Sequence, residues 1–442
     1  MPGRPAAAQE DFSVDAPHPR LLLTARRHRL LRRERERRTT RWTQFEALMS
    51  SNARMPEPGF AGALFYAAGG GSAYGRQAIR WAVDYGDDPR QLALVFDWCQ
   101  DLLSAAERNR LIEKLQHALS RRRSPETIAT VRSRLFAAIA LAGYVEGIGE
   151  REIEWVVKDW WRGKIIPGLR QGRNMIPRDQ AYPLMEILHA IRDTVRIDLR
   201  LDDRRYFTSF PLYLLLTYYP AVYPGAENEF HIPLIPDAGE PDLRAAALAR
   251  AADLSLIAFD PNALETQFLQ GWAMRDSFLM RGPFGITYEF LWGNPYQPGL
   301  SYYNAPLSFH DPVRGALVVR SSWDSGADWF YLDGGVMQRF TDGKIQPLSW
   351  KDFREPLALG HTVVVPARSR SRFQVDAAEA ATYYVIGLEP GAVCDIEVDE
   401  EELYEDTADR GGILVMKFPA GRKAGVRLRK RKTDTGAAKR SG

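Results

Sequence analysis

Apolar and polar positions follow two different rhythms along this chain, and the change falls near Gly299. From His18 to about Phe290 the apolar residues recur mostly at helical spacing, which predicts helices over residues 74–85, 108–119, 127–144, 150–162, 181–198, 206–219, 243–259 and 264–278. Leu92 to Trp98 is a further apolar stretch running on to Leu102 and Leu103, and Ser104 with Glu107 then gives the S-x-x-E pattern of a capping box. Gly69, Gly70 and Gly71 read as a turn between helices. Helices in succession without intervening strands imply an all-α layer structure, as a bundle, solenoid or toroid. No fixed-period repeat is visible, which disfavours the solenoid.

Beyond Gly299 the runs become short, β-branched and aromatic, separated by Gly, Pro, Asp and Ser. Residues 315–322, 328–333, 361–366, 381–387, 392–398 and 412–418 read as strands of an antiparallel sheet or sandwich. Residues 425–430 alternate as an edge strand would. The fold class expected is therefore α+β and multidomain. Residues 1–17 are a signal remnant or disordered, 18–300 the helical domain, 301–432 the antiparallel β-sandwich domain and 433–442 a disordered basic tail.

Composition changes this picture little. At 442 residues two domains are natural, and a net charge of +3 supplies no long-range field for nucleic acid. The positive charge is uneven, however. Residues 26–41 and 422–440 are dense in Arg and Lys, each either a solvated surface or a place where an acidic polymer is recruited. Cys99 and Cys394 are too far apart for a disulfide framework or a metal site. The seven histidines have no HxH, HxxxH or HExxH spacing, so no metal and no cofactor are expected. No apolar run is long enough to span a bilayer, while Ala6-Ala7-Ala8-Gln9 has the look of the end of a secretory signal and points to a periplasmic or secreted protein.

Three stretches carry a resemblance. His18-Pro19-Arg20-Leu21 precedes a basic helix; Leu92 to Trp98 leads into Leu103-Ser104-Ala105-Ala106-Glu107-Arg108; and Pro306 to Asp324 is followed by Trp329-Phe330-Tyr331-Leu332-Asp333-Gly334-Gly335. In order and spacing they resemble the heparinase II/III-like, alginate-lyase-like polysaccharide lyases. That resemblance implies an (α/α) toroid followed by a β-sandwich, and cleavage of an acidic, uronic-acid-containing polysaccharide by β-elimination. Such a reaction needs a group that neutralises the uronate, a base for the C5 proton and an acid for the leaving oxygen.

Carried over by position, the family's toroid tyrosine matches Tyr182, and its Asn-His pair falls where Arg132 and Arg134 stand. The β-domain HxHxD stretch falls on Gln338, Phe340 and Asp342, so both histidines are missing and only the Asp remains. The expected catalytic set is Tyr182, His231 and Arg134. Arg132, Arg178, Gln180, Asn228, Trp292, Tyr302, Tyr303 and Asp342 are expected to bind substrate, the aromatics by stacking on sugar faces. Two other readings stand beside this one: a catalytically inactive carbohydrate-binding or assembly protein on the same scaffold, and a glycoside hydrolase using paired carboxylates such as Glu227 with Glu229 or Asp237 with Glu240.

Overall fold

A computed structural model describes residues 10–14, 17–121, 126–224, 229–275, 282–294, 296–368 and 370–431. The chain forms two compact units. One comprises residues 1–167, 175–208 and 242–300; the other comprises 168–174, 209–241 and 301–442.

The first unit is helical. Its elements are α1 (Ala25–Glu36), α2 (Thr40–Ser50), α3 (Pro58–Ala67), α4 (Ser72–Asp84), α5 (Pro89–Trp98), α6 (Ala105–Ser120), α7 (Ile128–Leu141) and α8 (Ile148–Trp155). A π-helical stretch, Val156–Ile165, joins α8 to α9 (Ile166–Arg170), followed by α10 (Ala181–Val195) and α11 (Arg204–Leu216), and both α9 and α11 run on into the second unit, at residues 168 and 209. The set closes with α12 (Leu243–Phe259), α13 (Leu264–Arg275) and α14 (Ile286–Trp292). Local chemistry sets the starts: Ser104 and Glu107 form the expected capping box of α6, Thr127 and Thr130 form one on α7, and Pro sits in the first turn of α3 and α5. Helix α5 is almost wholly buried and α7, α10 and α12 largely so, including Leu94, Phe96, Phe136, Ile139, Leu188 and Leu256, each contributing about 1.5–3 kcal/mol by leaving water. The Gly69–Gly71 turn needs its glycines, because Gly69 and Gly71 have φ of 97° and 111°.

The second unit is mostly β. Short strands β1 (Tyr223–Pro224) and β2 (Glu229–Phe230) pair in a two-stranded ladder. Thereafter β3 (Ser308–Asp311), β4 (Ala316–Arg320), β5 (Trp329–Asp333), β6 (Val336–Thr341) and β7 (Lys344–Pro347) form one meander in sequence order. Eight more strands follow: β8 (Leu357–Leu359), β9 (Thr362–Pro366), β10 (Arg372–Ala377), β11 (Ala381–Ile386), β12 (Val393–Val398), β13 (Glu402–Thr407), β14 (Leu414–Phe418) and β15 (Arg422–Lys430). They build two four-stranded sheets, ordered β14-β11-β9-β8 and β10-β15-β12-β13. The alternation of side chains makes the first of these a shared middle layer. Val364, Tyr384 and Ile386 pack with Leu317, Val319 and Phe330 of the meander, whereas Val365, Tyr383 and Val385 pack with Phe373, Ile396 and Val426.

Two expectations are corrected. The sheets are not wholly antiparallel, since β9 and β11 pair in parallel. Residues 425–430 belong to an interior strand: β15 lies between β10 and β12, and the edges are β10 and β13, the latter with all its residues exposed. The alternation that suggested an edge arises because one face of β15 buries Ala424, Val426 and Leu428 while the other carries a charge ladder, with Arg427 and Arg429 near Glu397.

Candidate functional site: an arginine-lined cleft beside a buried ion-pair network

The first unit holds α1 in place at both ends. Before it, Asp97 of α5 accepts hydrogen bonds from the backbone N–H groups of Arg20 and Leu21 and from His18, and Trp98 Nε1 donates to the Leu21 carbonyl. This is the physical work of the His18-Pro19-Arg20-Leu21 stretch: His18 and the Arg20 and Leu21 N–H groups converge on one buried carboxylate. After it, Glu34 is fully buried and receives Thr39 and Arg41, and Arg41 Nη1 also donates to the Glu289 carbonyl of α14 at 2.6 Å. Only Leu31 and Glu34 of α1 are buried. A helix so poor in apolar residues docks through these polar anchors, and Arg26, Arg29, Arg32 and Arg33 are left over.

Those arginines line a cleft of about 890 Å³. On the α1 side stand Thr24, Arg26, Arg27, Arg29, Leu30, Arg32, Arg33 and Glu36; opposite are Arg192, Ala258, Phe259, Pro261, Leu291, Trp292, Asn294, Tyr296 and Gln297. Six arginines thus face one carboxylate. Arg26, Arg29, Arg32 and Arg33 make no ion pair or side-chain hydrogen bond with any described residue. Several other guanidinium groups in this unit are matched: Arg134 holds Glu152, Arg162 holds Glu10 and Asp202, and Arg200 holds Asp198 and Asp260.

The wall behind the cleft is built in layers. The Arg27 guanidinium lies over the Trp292 ring, 4.3 Å from its centroid, and its Nη1 donates to the Leu22 carbonyl. Burial draws its pKa down to about 10, opposed by Asp193 and assisted by Arg192, so it remains charged at neutral pH. Trp292 is 2% exposed, and His189 packs against it with ring centroids 4.4 Å apart. Burial, reinforced by Arg27 and Arg192, holds His189 well below the usual imidazole range. It is therefore neutral, donating from Nε2 to the Ser255 carbonyl and accepting from Arg192 at Nδ1. Arg192 also donates to Asp193 and to the Phe259 carbonyl, so its fork is largely engaged.

Behind Trp292 lies a buried polar network. Trp292 Nε1 donates to the Tyr182 hydroxyl at 3.0 Å, and that hydroxyl donates to Glu186 Oε1 at 2.8 Å. Glu186 accepts Arg90 through Nε and Nη2 and Arg132 through Nη1 at 2.6 Å. Arg90 reaches on to Glu57 at 2.9 Å, and Glu57 also accepts the Tyr288 hydroxyl. Burial alone would raise the Glu186 carboxyl, but Arg90 and Arg132 outweigh it and the net shift is downward. Burial and the adjoining Glu186 push Tyr182 well above the usual phenol range, so it stays protonated.

Of the residues singled out from sequence, Tyr182, Arg132 and Trp292 therefore come together, through Glu186, but as members of a satisfied buried network. Tyr182 is 2% exposed. Arg134 is elsewhere: besides Glu152 it donates to the Leu119 and Arg121 carbonyls, closing the end of α6. Arg178 reaches Asp253, and Gln180 Oε1 accepts the Ala129 N–H, capping the start of α7.

The remaining candidates belong to the second unit. His231 donates from Nε2 to the Pro220 carbonyl. Tyr302 and Tyr303 stack on one another at 4.7 Å, with Trp323 edge-on to Tyr302. Asp342 and Gly343, with φ of 49° and 73°, form the two-residue turn between β6 and β7, so Asp-Gly is hairpin chemistry there. Gln338 accepts the Tyr219 hydroxyl and donates to the Ile235 and Pro236 carbonyls, and Phe340 is core. Asn228 and Glu227 lie outside the described residues, as does the side chain of Glu229; Asp237 and Glu240 are exposed loop residues.

Sequence reasoning noted the basic run but singled out none of its residues, and it passed over Arg90 and Glu186. The available signal was a carboxylate four residues after Tyr182 inside the otherwise apolar stretch 183–188. Among the described residues no group of three or more His, Cys, Asp or Glu side chains could hold a metal ion, and no helix is long and apolar enough to cross a membrane. No protein-family model matches this chain, and no curated protein matches it.

Proposed function

We propose that this chain binds an acidic polysaccharide or oligosaccharide in the arginine cleft of its helical unit, without cleaving it. One observation carries the reading: six arginines and a single carboxylate line one concave surface, and the four on the rim have no partner among the described residues. Unneutralised cations held this close repel one another, which a polyanion relieves. Guanidinium groups suit carboxylate and sulfate because their planar forks match those anions in two-point contacts. Thr24, Asn294 and Gln297 add neutral polar groups suited to hydroxyls, and half-exposed Tyr296 offers an aromatic face. The scaffold proposed is an (α/α) toroid with a β-sandwich of the heparinase II/III-like kind, acting in a periplasm or outside the cell, where such polymers occur.

β-Elimination is the second reading, and it is favoured by Tyr182 and Arg132 sharing Glu186. It is placed second because a buried tyrosine that already donates its proton to a carboxylate is a poor base. A glycoside hydrolase acting through Glu57 and Glu186 would need two carboxylates that are instead bridged by Arg90.

The full chain should be titrated with heparan-type, alginate, hyaluronan and pectin-like oligosaccharides by calorimetry over a salt series, and the same mixtures followed for the ultraviolet absorbance of unsaturated uronate. Saturable, salt-sensitive binding of at least one polymer with no absorbance rise is expected. A rise that Tyr182→Phe abolishes would establish the lyase, and no binding to any of them overturns both.

A further inference from the structure

Resting on that reading, we infer that Arg27 is the residue that grips one anionic group of the ligand, a carboxylate or a sulfate, at the floor of the cleft, while the rim arginines attract the polymer without fixing it.

The two kinds of arginine differ in how they are held. Arg26, Arg29, Arg32 and Arg33 are exposed or nearly so, each on a flexible stem in water. A charge contact there is screened by salt and costs side-chain entropy. Arg27 is half-buried, lies over Trp292 and is tethered through Nη1 to the Leu22 carbonyl. Its Nε and Nη2 donate to no described residue, and the group borders the cleft. It is thus an oriented cation with unused donors in a partly desolvated place, where a two-point contact to an anion is strongest.

Its orientation is imposed from behind. Trp292 is fixed by its Nε1–H bond to Tyr182, by Tyr182 on Glu186, and by the neutral His189 ring packed against it. Because Trp292 is covered in this way, it serves as the platform for Arg27 and not for a sugar. Tyr182 is in turn a positioning residue, acting through Trp292. This assigns a role to the tyrosine that sequence reasoning selected, without asking it to transfer a proton.

The test compares wild-type protein, Arg27→Lys, Arg27→Ala and the double variant Arg29→Gln/Arg33→Gln. Each is titrated with a sulfated heparan-type oligosaccharide and with an oligogalacturonate bearing carboxylates only, at low and high salt, and each is checked for an unchanged thermal transition. Arg27→Ala is expected to lose about tenfold or more in affinity at both salt concentrations, and Arg27→Lys most of that, because lysine keeps the charge but not the planar fork. The double variant should lose affinity chiefly at low salt and flatten the salt dependence. Should Arg27→Ala disturb folding, Arg27→Lys carries the comparison alone. Preference for one oligosaccharide identifies the anion as sulfate or carboxylate. If both Arg27 variants bind within about twofold of wild type while the double variant does not, the role given to Arg27 is overturned and the cleft reading survives. If wild-type protein binds neither oligosaccharide, the cleft reading falls as well.

Discussion

Two sets of arginines in the helical unit lead opposite lives. Arg90 and Arg132 are buried or nearly so and converge on Glu186, so their charge is spent inside the molecule. Arg26, Arg29, Arg32 and Arg33 crowd one side of a cleft with no counter-charge except Glu36. Burying a cation without a partner is very costly, so the first set had to be matched to fold at all. An exposed cation carries no such penalty, so the second set can stay unmatched. Trp292 stands between them, facing the cleft with Arg27 and anchored to the network through Tyr182.

The largest way to break this contrast is Glu186→Gln, which keeps the shape and removes the charge that neutralises Arg132 and half of the matching for Arg90. A loss of roughly 3–5 kcal/mol is expected in urea unfolding. A change below about 1 kcal/mol would mean that the buried pairs contribute little to the fold.

Tyr182→Phe comes next. It leaves Trp292 Nε1–H without its acceptor and takes one donor from Glu186, at a cost of about 1–3 kcal/mol in the same assay. It should also weaken oligosaccharide binding through Trp292 and Arg27. Unchanged affinity would separate the network from the cleft.

Acid offers a gentler probe. The folded carboxyl of Glu186 titrates below its unfolded value, so its contribution is complete above the unfolded pKa of about 4.3 and disappears as pH falls through the folded value. Asp333 in the second unit behaves oppositely. Burial there outweighs Arg314 and the Tyr213 and Tyr331 hydroxyls and raises its carboxyl, so stability falls as pH rises through the interval between its unfolded and folded values. Urea midpoints measured down the acid range should therefore fall for wild-type protein and fall less steeply for Glu186→Gln. Parallel curves would remove Glu186 from the acid response.

The smallest effect on stability belongs to Arg29→Gln/Arg33→Gln, expected to lie within about 0.5 kcal/mol of wild type in thermal unfolding. A marked stabilisation would show that the unmatched charges strain the fold, and would strengthen the contrast. Marked destabilisation would place these arginines in the structure after all.

The two halves of the fold and many of their elements were legible in the sequence, because amphipathic periods and capping residues act locally. Residues 243–259 came out as the α12 helix itself, and Ser104 with Glu107 capped α6 as expected. Beyond Gly299, β3, β6, β7, β8, β10 and β13 escaped. Of these β7, β8 and β13 are short or wholly exposed and carry little apolar alternation, whereas β10 buries every second residue among polar neighbours; and Asp342 of the Asp342-Gly343 turn that marks a hairpin was taken as a ligand group.

What the sequence by itself determined is the succession of helices followed by strands, and a basic segment whose charge was visible from the first reading. Only tertiary structure decided which of those charges are spent and which are left over. Tyr182 and Glu186 are four residues apart, but Arg90, Arg132 and Trp292 reach them from three other helices, and Arg27 meets Trp292 across 265 positions of the sequence. Pairing of this kind depends on which side chains the packed helices bring within a few ångströms, and local patterns along a chain do not encode that distance.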